Sequence, residues 1–437
     1  MESLSYYFQE ILLENLRDGD LAKLPSESEY YNDIKFSNSK LNEMKDLLNL
    51  KDIPDIEYYN KIIKLSDTIS FEQLILDDNQ ISSFEYFSRK IFPKLRGLFL
   101  WNNKIKSFKG LSEKAFPNLK ELWLEDNKIS SFEGLFGKTF LNLEKLDLRR
   151  NQITSFEGLS GKIFPKLEYL LLNDNQISSF EGLSGKILPK LKVLDLYGNK
   201  ITSFEGFSEK IFPNLTVISL WNNQISSFEG LYGKIFPKLE KLFLTSNQIS
   251  SFKGLSEKTF PNLKIIDLNH NQISSFEGLS EIIFPNLEYL LLFNNQITSL
   301  KELSGKTFPN LEYLFLFNNQ ITSLKELSGK TFSKLKDLKL SSNQISSFEG
   351  LTGKTFPNLK ILELNHNEIF SFEGLSEEIF PNLKILELTD NLIFSFKGLS
   401  GKIFPKLIRL DLTSNQLFSF QELSAKIFRN FKKIIII

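Results

Sequence analysis

Four glycine-lysine-threonine triplets are the most suggestive chemical motif in the sequence. They recur at 137–139, 305–307, 329–331 and 353–355, and the same triplet ends the phosphate-binding motif G-x-x-x-x-G-K-[ST]. The first glycine of that motif is missing, because position 132 is Phe and position 300 is Leu. We therefore expect no nucleotide site at these triplets.

Ionisable residues give two further candidates. His270 follows Asp267, and His366 follows Glu363, which is a spacing that suggests a metal ligand pair. A single histidine with one carboxylate is a poor zinc site, so we expect both histidines to make solvated polar contacts. Glu363 and Glu387 form a possible acid–base pair, but an open sheet encloses no pocket for it. The sequence predicts a protein that is not an enzyme, with no catalytic residue, no metal ligand and no cofactor.

Composition narrows the function classes further. The chain has 437 residues with 53 basic and 53 acidic side chains, so charge gives no argument for nucleic acid or membrane binding. It has no cysteine, which excludes disulfides and favours a reducing compartment. The first 20 residues mix acids into their apolar stretch and make a poor signal peptide, and no apolar run is long enough for a membrane span. We expect a cytoplasmic or otherwise intracellular protein.

A 24-residue repeat determines the architecture. Around each repeated Asn the frame reads L-x-x-L-x-L-x-x-N-x-I, as in Leu119, Leu122, Leu124, Asn127 and Ile129. The alternation in L-x-L predicts a short strand with one buried face. The repeated Asn occupies positions 79, 103, 127, 151, 175, 199, 223, 247, 271, 295, 319, 343, 367, 391 and 415.

This frame resembles the leucine-rich repeat family over residues 71–437. The resemblance implies an α/β fold, a right-handed horseshoe solenoid with a parallel sheet on the concave face and short helices or 3₁₀ turns on the convex side. It also implies that the Asn side chains form a ladder that bonds the backbone of neighbouring coils. The unit is closest to the short intracellular class typified by a protein phosphatase regulatory subunit, but it uses Phe where that class has aliphatic residues.

The back half of each unit reads like the segment from Ser155 to Pro165. Ser155 is a candidate helix cap, Gly158 weakens a regular α-helix, and Pro165 ends the segment. We therefore expect a short helix or a 3₁₀ turn here. Most of the 42 phenylalanines occupy the positions of Phe156 and Phe164, which predicts a spine of Phe in the core.

The two ends of the chain depart from the repeat. We interpret residues 1–66 as a helical N-terminal cap, with an independent partner-binding domain as the alternative, and 67–430 as fifteen repeats. Residues 431–437 supply the first strand of an incomplete sixteenth repeat and leave an open sheet edge at Ile434–Ile437. We expect a truncated reading frame here; the alternative is that the edge pairs with another chain, including a second copy.

The repeats differ mainly at strand positions that point away from the core, on the predicted concave face. Aromatic residues gather at these positions, and Trp and Tyr often anchor protein interfaces. Lys145, Arg149 and Arg150 add a predicted basic spot. Duplication is the alternative source of some aromatics, because repeats 287–310 and 311–334 share 21 of 24 residues. The candidate partner-binding residues are Phe99, Trp101, Trp123, Arg149, Arg150, Tyr169, Trp221, Tyr289, Phe293, Tyr313, Phe315 and Phe317.

These observations predict a protein–protein interaction scaffold that binds a protein partner along the concave face. One alternative is a regulatory subunit of a phosphatase or another enzyme. A second is the binding part of a truncated effector whose catalytic domain is missing, and a third is an internalin-like surface adhesin.

Overall fold

The computed structural model describes residues 72–436 except 88–90, 184–185, 256–257, 280–282, 352–354, 376–378, 400–401 and 419–432. The predicted N-terminal cap over 1–66 lies outside the described residues, and its boundary stays a prediction. The chain divides into two compact units, one formed by Met1–Lys200 with Lys210–Leu215 and the other by Ile201–Glu209 with Thr216–Ile437.

In the described part of the first unit, three-residue strands recur every 24 residues and pair in parallel in chain order. Each strand pairs with the next so that equivalent repeat positions face each other, as Leu98 faces Leu122. The strands are β1 (Gln73–Ile75), β2 (Gly97–Phe99), β3 (Glu121–Trp123), β4 (Lys145–Asp147), β5 (Tyr169–Leu171) and β6 (Val193–Asp195).

The second unit continues the same pattern, and Leu290 faces Leu314 in the same register. Its last described strand contains Ile434, which faces Leu410; the assignment of 431–437 to an incomplete sixteenth repeat stays a prediction. The strands are β7 (Val217–Ser219), β8 (Lys241–Phe243), β9 (Ile265–Asp267), β10 (Tyr289–Leu291), β11 (Tyr313–Phe315), β12 (Asp337–Lys339), β13 (Ile361–Glu363), β14 (Ile385–Glu387), β15 (Arg409–Asp411) and β16 (Lys433–Ile435).

Phenylalanine stacks fill the core behind the sheet of each unit. In the first unit Phe84, Phe108 and Phe132 stack with ring centroids 6.3 and 6.1 Å apart. In the second unit Phe356 and Phe380 stack at 6.1 Å. These rings are almost fully buried, so the predicted Phe spine is confirmed.

The repeated asparagines form the expected ladder. Asn127 Nδ2 donates to the carbonyl oxygens of Leu100 at 2.9 Å and Leu124 at 3.1 Å. Its Oδ1 accepts from the backbone N–H of Ile105 at 2.9 Å. One side chain therefore bonds buried backbone groups on two coils, and successive asparagines share the carbonyl oxygens of the ladder.

The back segments are built from turns and a few 3₁₀ helices. Three 3₁₀ helices occur among the described residues, at Phe84–Phe87, Glu229–Leu231 and Lys325–Leu327. The Ser155 hydroxyl accepts from the N–H of Glu157 at 3.3 Å and closes a turn, and Gly158 follows with a φ of +90°. This confirms the expectation of 3₁₀ turns over regular helix. No helix in the described residues has the length and apolarity to cross a membrane.

Candidate functional site: the outer sheet face

Side chains at alternate strand positions point away from the core and form what we call the outer sheet face. In β3, as in most of the strands, the middle residue, Leu122, is buried while its two neighbours are partly accessible. Tyr169 and Trp221 keep 40% and 39% of their surface exposed. None of the twelve candidate residues lies in the packed core, and each is at least partly accessible in its own unit. Their role in binding stays a prediction.

In the second unit the outer sheet face carries a stacked aromatic patch made of Tyr289, Phe293, Tyr313, Phe315 and Phe317. The rings of Tyr289 and Tyr313 stack with centroids 4.3 Å apart, and so do those of Phe293 and Phe317. Because β10 and β11 pair in register, the duplicated residues lie directly beside each other. The two ring pairs therefore give this part of the outer sheet face a partly exposed apolar surface.

The first unit carries a tryptophan patch made of Phe99, Trp101 and Trp123. Phe99 packs edge-on against Trp101 at 5.6 Å and lies 5.8 Å from Trp123. The Trp123 indole N–H donates to Glu121 at 3.0 Å, and the Lys145 ammonium lies 3.9 Å from its ring centroid. These contacts hold Trp123 in one orientation while one part of its surface stays accessible.

The predicted basic spot beside this patch requires a correction. Arg149 contacts both carboxylate oxygens of Asp147 and also Glu125, the closest contacts being 2.7 Å. The hydrogen bonds with Asp147 raise the pKa of Arg149, and Arg150 pairs with Asp126 at 3.1 Å. Both arginines already have carboxylate partners, so this surface is a network of ion pairs and not a free positive charge.

Sequence reasoning missed an important acid beside the stacked aromatic patch. Asp337 on β12 faces Tyr313 on β11 in the parallel register, and only 9% of its surface is exposed. Its Oδ1 atom is buried without a hydrogen-bond partner, and burial raises its pKa to about 6. The 24-residue period places Asp337 between Tyr313 and Ile361 at one repeat position, but nothing in the sequence indicates that it is buried.

The residues considered for metal chemistry do not converge. The His366 Nδ1 atom lies 2.7 Å from Asp390 and not against Glu363. His270 contacts Asn294 and packs edge-on against Phe293 at 5.4 Å. No group of three or more potential metal ligands occurs in the described part of the chain.

A second exposed apolar feature lies on the turns that follow the Asn ladder. Phe370, Phe394 and Phe418 occupy one repeat position in three consecutive repeats, where the other repeats have Ser, Thr or Lys. They are 44%, 46% and 83% exposed. Sequence reasoning missed this stripe, although the change from polar residues to Phe at a fixed position signals it.

Parallel three-residue strands every 24 residues, a buried Asn ladder and back segments of turns define a leucine-rich repeat solenoid. Family models agree: one described as "Leucine Rich repeats (2 copies)" matches residues 93–137, 141–185, 165–209, 189–233, 213–257, 237–281 and 285–329. Another, described as "Leucine rich repeat", matches 309–369. The chain belongs to the leucine-rich repeat family, whose members typically mediate protein–protein interaction.

Solved structures show the same fold. A leucine-rich repeat protein of Leptospira interrogans is 28% identical with a TM-score of 0.63, and the match covers 86% of this chain and 92% of that one. An internalin of Listeria monocytogenes is 21% identical with a TM-score of 0.52, covering 89% and 92%. A Drosophila Toll–Spatzle complex contains a chain that is 20% identical with a TM-score of 0.55, covering 75% and 45%. Comparison with curated proteins gives no significant match.

Proposed function

We propose that this protein is a non-enzymatic scaffold that captures a protein partner through its outer sheet face. In the horseshoe that the family resemblance implies, this face is the concave one. The observation that carries the proposal is the stacked aromatic patch, where two ring pairs at 4.3 Å remain partly exposed. Aromatic rings held in place lose little conformational freedom on binding, which makes them efficient anchors.

The distribution of variation along the repeat supports this assignment. Core positions hold Leu, Ile and Phe in copy after copy, and the Asn ladder repeats without change. The outer sheet face instead combines aromatic, acidic and basic residues that differ from strand to strand. Because these residues are spread over many strands, the face suits contact with a protein surface better than the small enclosed site that a small molecule requires.

Affinity purification with mass spectrometry tests the proposal, using the wild-type chain and two double variants. Phe293→Ala with Phe317→Ala removes one stacked pair. Each truncated anchor costs about 2 kcal/mol or more, which weakens capture of a specific partner by at least about 30-fold. Phe370→Ala with Phe394→Ala is the matched control, because it removes two exposed rings outside the outer sheet face.

We expect the control to retain the partner and the patch variant to lose it, with both variants folded by circular dichroism. Equal capture by the wild type and the patch variant would refute the assignment of the patch. Phosphatase subunits among the captured proteins would favour the regulatory-subunit alternative. Transcript reads that continue past the codon for Ile437 would favour the effector alternative.

Two further proposals concern assembly and location. We propose that the edge of β16 permits self-association, which light scattering across a concentration series tests: a constant monomer mass would exclude it. We propose an intracellular location because the chain has no cysteine, as proteins of reducing compartments do without disulfides. Cell fractionation tests this, and recovery of the protein outside the cell would contradict it.

A further inference from the structure

Asp337 differs from the other buried aspartates of the outer sheet face. Among the described residues four aspartates are buried, namely Asp147, Asp267, Asp337 and Asp411. Asp147 accepts from Arg149, Asp267 from the Thr245 hydroxyl at 2.6 Å, and Asp411 from Thr413. Asp337 alone among these four has a buried carboxylate oxygen with no hydrogen-bond partner. Burying a carboxylate without a partner costs free energy, so a bound cation that pairs with Asp337 would offset part of that cost.

The neighbouring cation is already engaged. Lys339, two residues along β12, pairs with Glu363 at 2.6 Å and lies over the Phe315 ring at 5.2 Å. In the register Asp337 faces Tyr313 on β11 and Ile361 on β13. The charged groups that act on it are Lys339 on its own strand and Glu363 on β13. Just before it in the chain, Lys336 pairs with Glu312 at 2.6 Å.

Acids outnumber bases on this part of the outer sheet face. Glu363, Glu387 and Asp411 lie in one register row on β13, β14 and β15, next to Lys339 on β12. Asp337 lies two residues before Lys339 on the same strand. Lys339 and Arg409 are the two cations among them, and both bond to these acids. The region therefore has an excess of negative charge next to the stacked aromatic patch, which suits a positively charged group.

We propose that Asp337 and Tyr313 form a subsite for a lysine or arginine side chain of the protein partner. The cation approaches along the Tyr313 ring and pairs with the Asp337 carboxylate, while apolar residues of the partner cover the rest of the stacked aromatic patch. An aromatic face and a carboxylate shielded from water both favour a cation. This inference rests on the proposed function, because it names the chemistry of a partner that binds at the same patch.

A random peptide library displayed on phage provides the probe, selected on the full-length wild-type protein. Binding peptides are resynthesised with each lysine or arginine replaced in turn by neutral citrulline, and affinities are measured by fluorescence polarisation. In each peptide we expect one basic position whose replacement by citrulline weakens binding to the wild-type protein about tenfold. The same replacement should leave the affinity for the Asp337→Asn protein unchanged. Asp411→Asn is the matched control, because Asp411 is equally buried on the same face but has partners.

The pH dependence gives a second readout. Since the pKa of Asp337 is about 6, its ionised fraction falls about tenfold between pH 7 and pH 5. Binding of the selected peptides weakens by about the same factor in the wild type, while Asp337→Asn shows no such change.

The outcomes separate this inference from the proposed function. Peptides that are lost with Phe293→Ala and Phe317→Ala but bind Asp337→Asn normally would overturn the subsite and leave the docking patch intact. Peptides indifferent to all of these substitutions, or a selection that yields no binder, would overturn both.

Discussion

Replacement of one asparagine in the ladder gives the sharpest test of how this fold is stabilised. Asn247 is 7% exposed and bonds to three backbone groups at short range. Its Nδ2 donates to the carbonyl oxygens of Leu220 at 2.9 Å and Leu244 at 3.0 Å. Its Oδ1 accepts from the Ile225 N–H at 2.9 Å. Asn247→Ala removes all of these bonds at once.

The expected cost follows from the groups that lose their partner. The Ile225 N–H is left buried without a partner, which costs about 1–3 kcal/mol. The Leu220 carbonyl loses one of its two bonds and still accepts from Asn223 Nδ2 at 3.1 Å. Leu220 also belongs to the preceding coil, so the loss weakens the contact between neighbouring coils. We therefore expect Asn247→Ala to lower the free energy of unfolding by about 2–3 kcal/mol.

Urea unfolding followed by circular dichroism measures this loss, and hydrogen exchange of a peptide that contains Ile225 localises it. Asn286→Ala is the matched control, because Asn286 is exposed and donates to the Pro261 carbonyl at 2.9 Å from the surface. We expect the control to cost less than about 1 kcal/mol. If Asn247→Ala were no more destabilising than Asn286→Ala, the argument that the ladder satisfies buried backbone groups would be refuted.

Two further substitutions test the outer sheet face and the close approach of neighbouring coils. The pKa of Asp337 is about 6 in the folded chain against a usual 3.8, so the folded chain holds this proton more tightly than the unfolded chain. The stabilisation that the bound proton provides is complete below about pH 4 and is lost as the pH rises through 6. Asp337→Asn therefore raises the free energy of unfolding by up to about 3 kcal/mol at pH 7 and leaves it nearly unchanged at pH 4; a gain independent of pH would contradict this reasoning. An alanine Cβ at Gly161 would lie 1.8 Å from the Ile187 carbonyl oxygen, whereas at Gly137 it meets no atom within 4 Å. We expect Gly161→Ala to lower the free energy of unfolding by about 3 kcal/mol. Gly137→Ala should lower it by about 1 kcal/mol, because its φ of +75° disfavours a side chain. Similar urea midpoints for the two variants would show that the close approach of Gly161 to Ile187 is absent.

Within each repeat, the core and ladder positions stabilise the fold, while the positions of the outer sheet face vary from coil to coil. Core and ladder positions are occupied by the same residues in successive coils, so each coil stacks on its neighbour in the same way. The outer sheet face is released from that requirement, because its side chains lie outside the core and the Asn ladder that join the coils. A partner surface can therefore be assembled from several repeats, each contributing one or two side chains.

The sequence by itself determined the repeat length, the strand positions, the Phe spine and the Asn ladder. It could do so because each of these features depends on contacts between fixed repeat positions of adjacent coils, such as Asn127 with Leu100. Such contacts recur with a period of 24, and a periodic pattern is readable along the chain. The L-x-L alternation of the strands also predicted that the candidate residues project from the face of the sheet opposite the core.

Only the tertiary structure decided which charges on the outer sheet face are free. The sequence predicted Arg149 as part of a basic spot. In the structure it pairs with Glu125, one repeat earlier, and with the buried Asp147. Nothing in the sequence singled out Asp337, and only the structure shows it beside Tyr313 with one buried oxygen unpaired. The physical reason is that ion pairing and burial depend on side-chain placement within an ångström or two, which neither residue type nor spacing specifies.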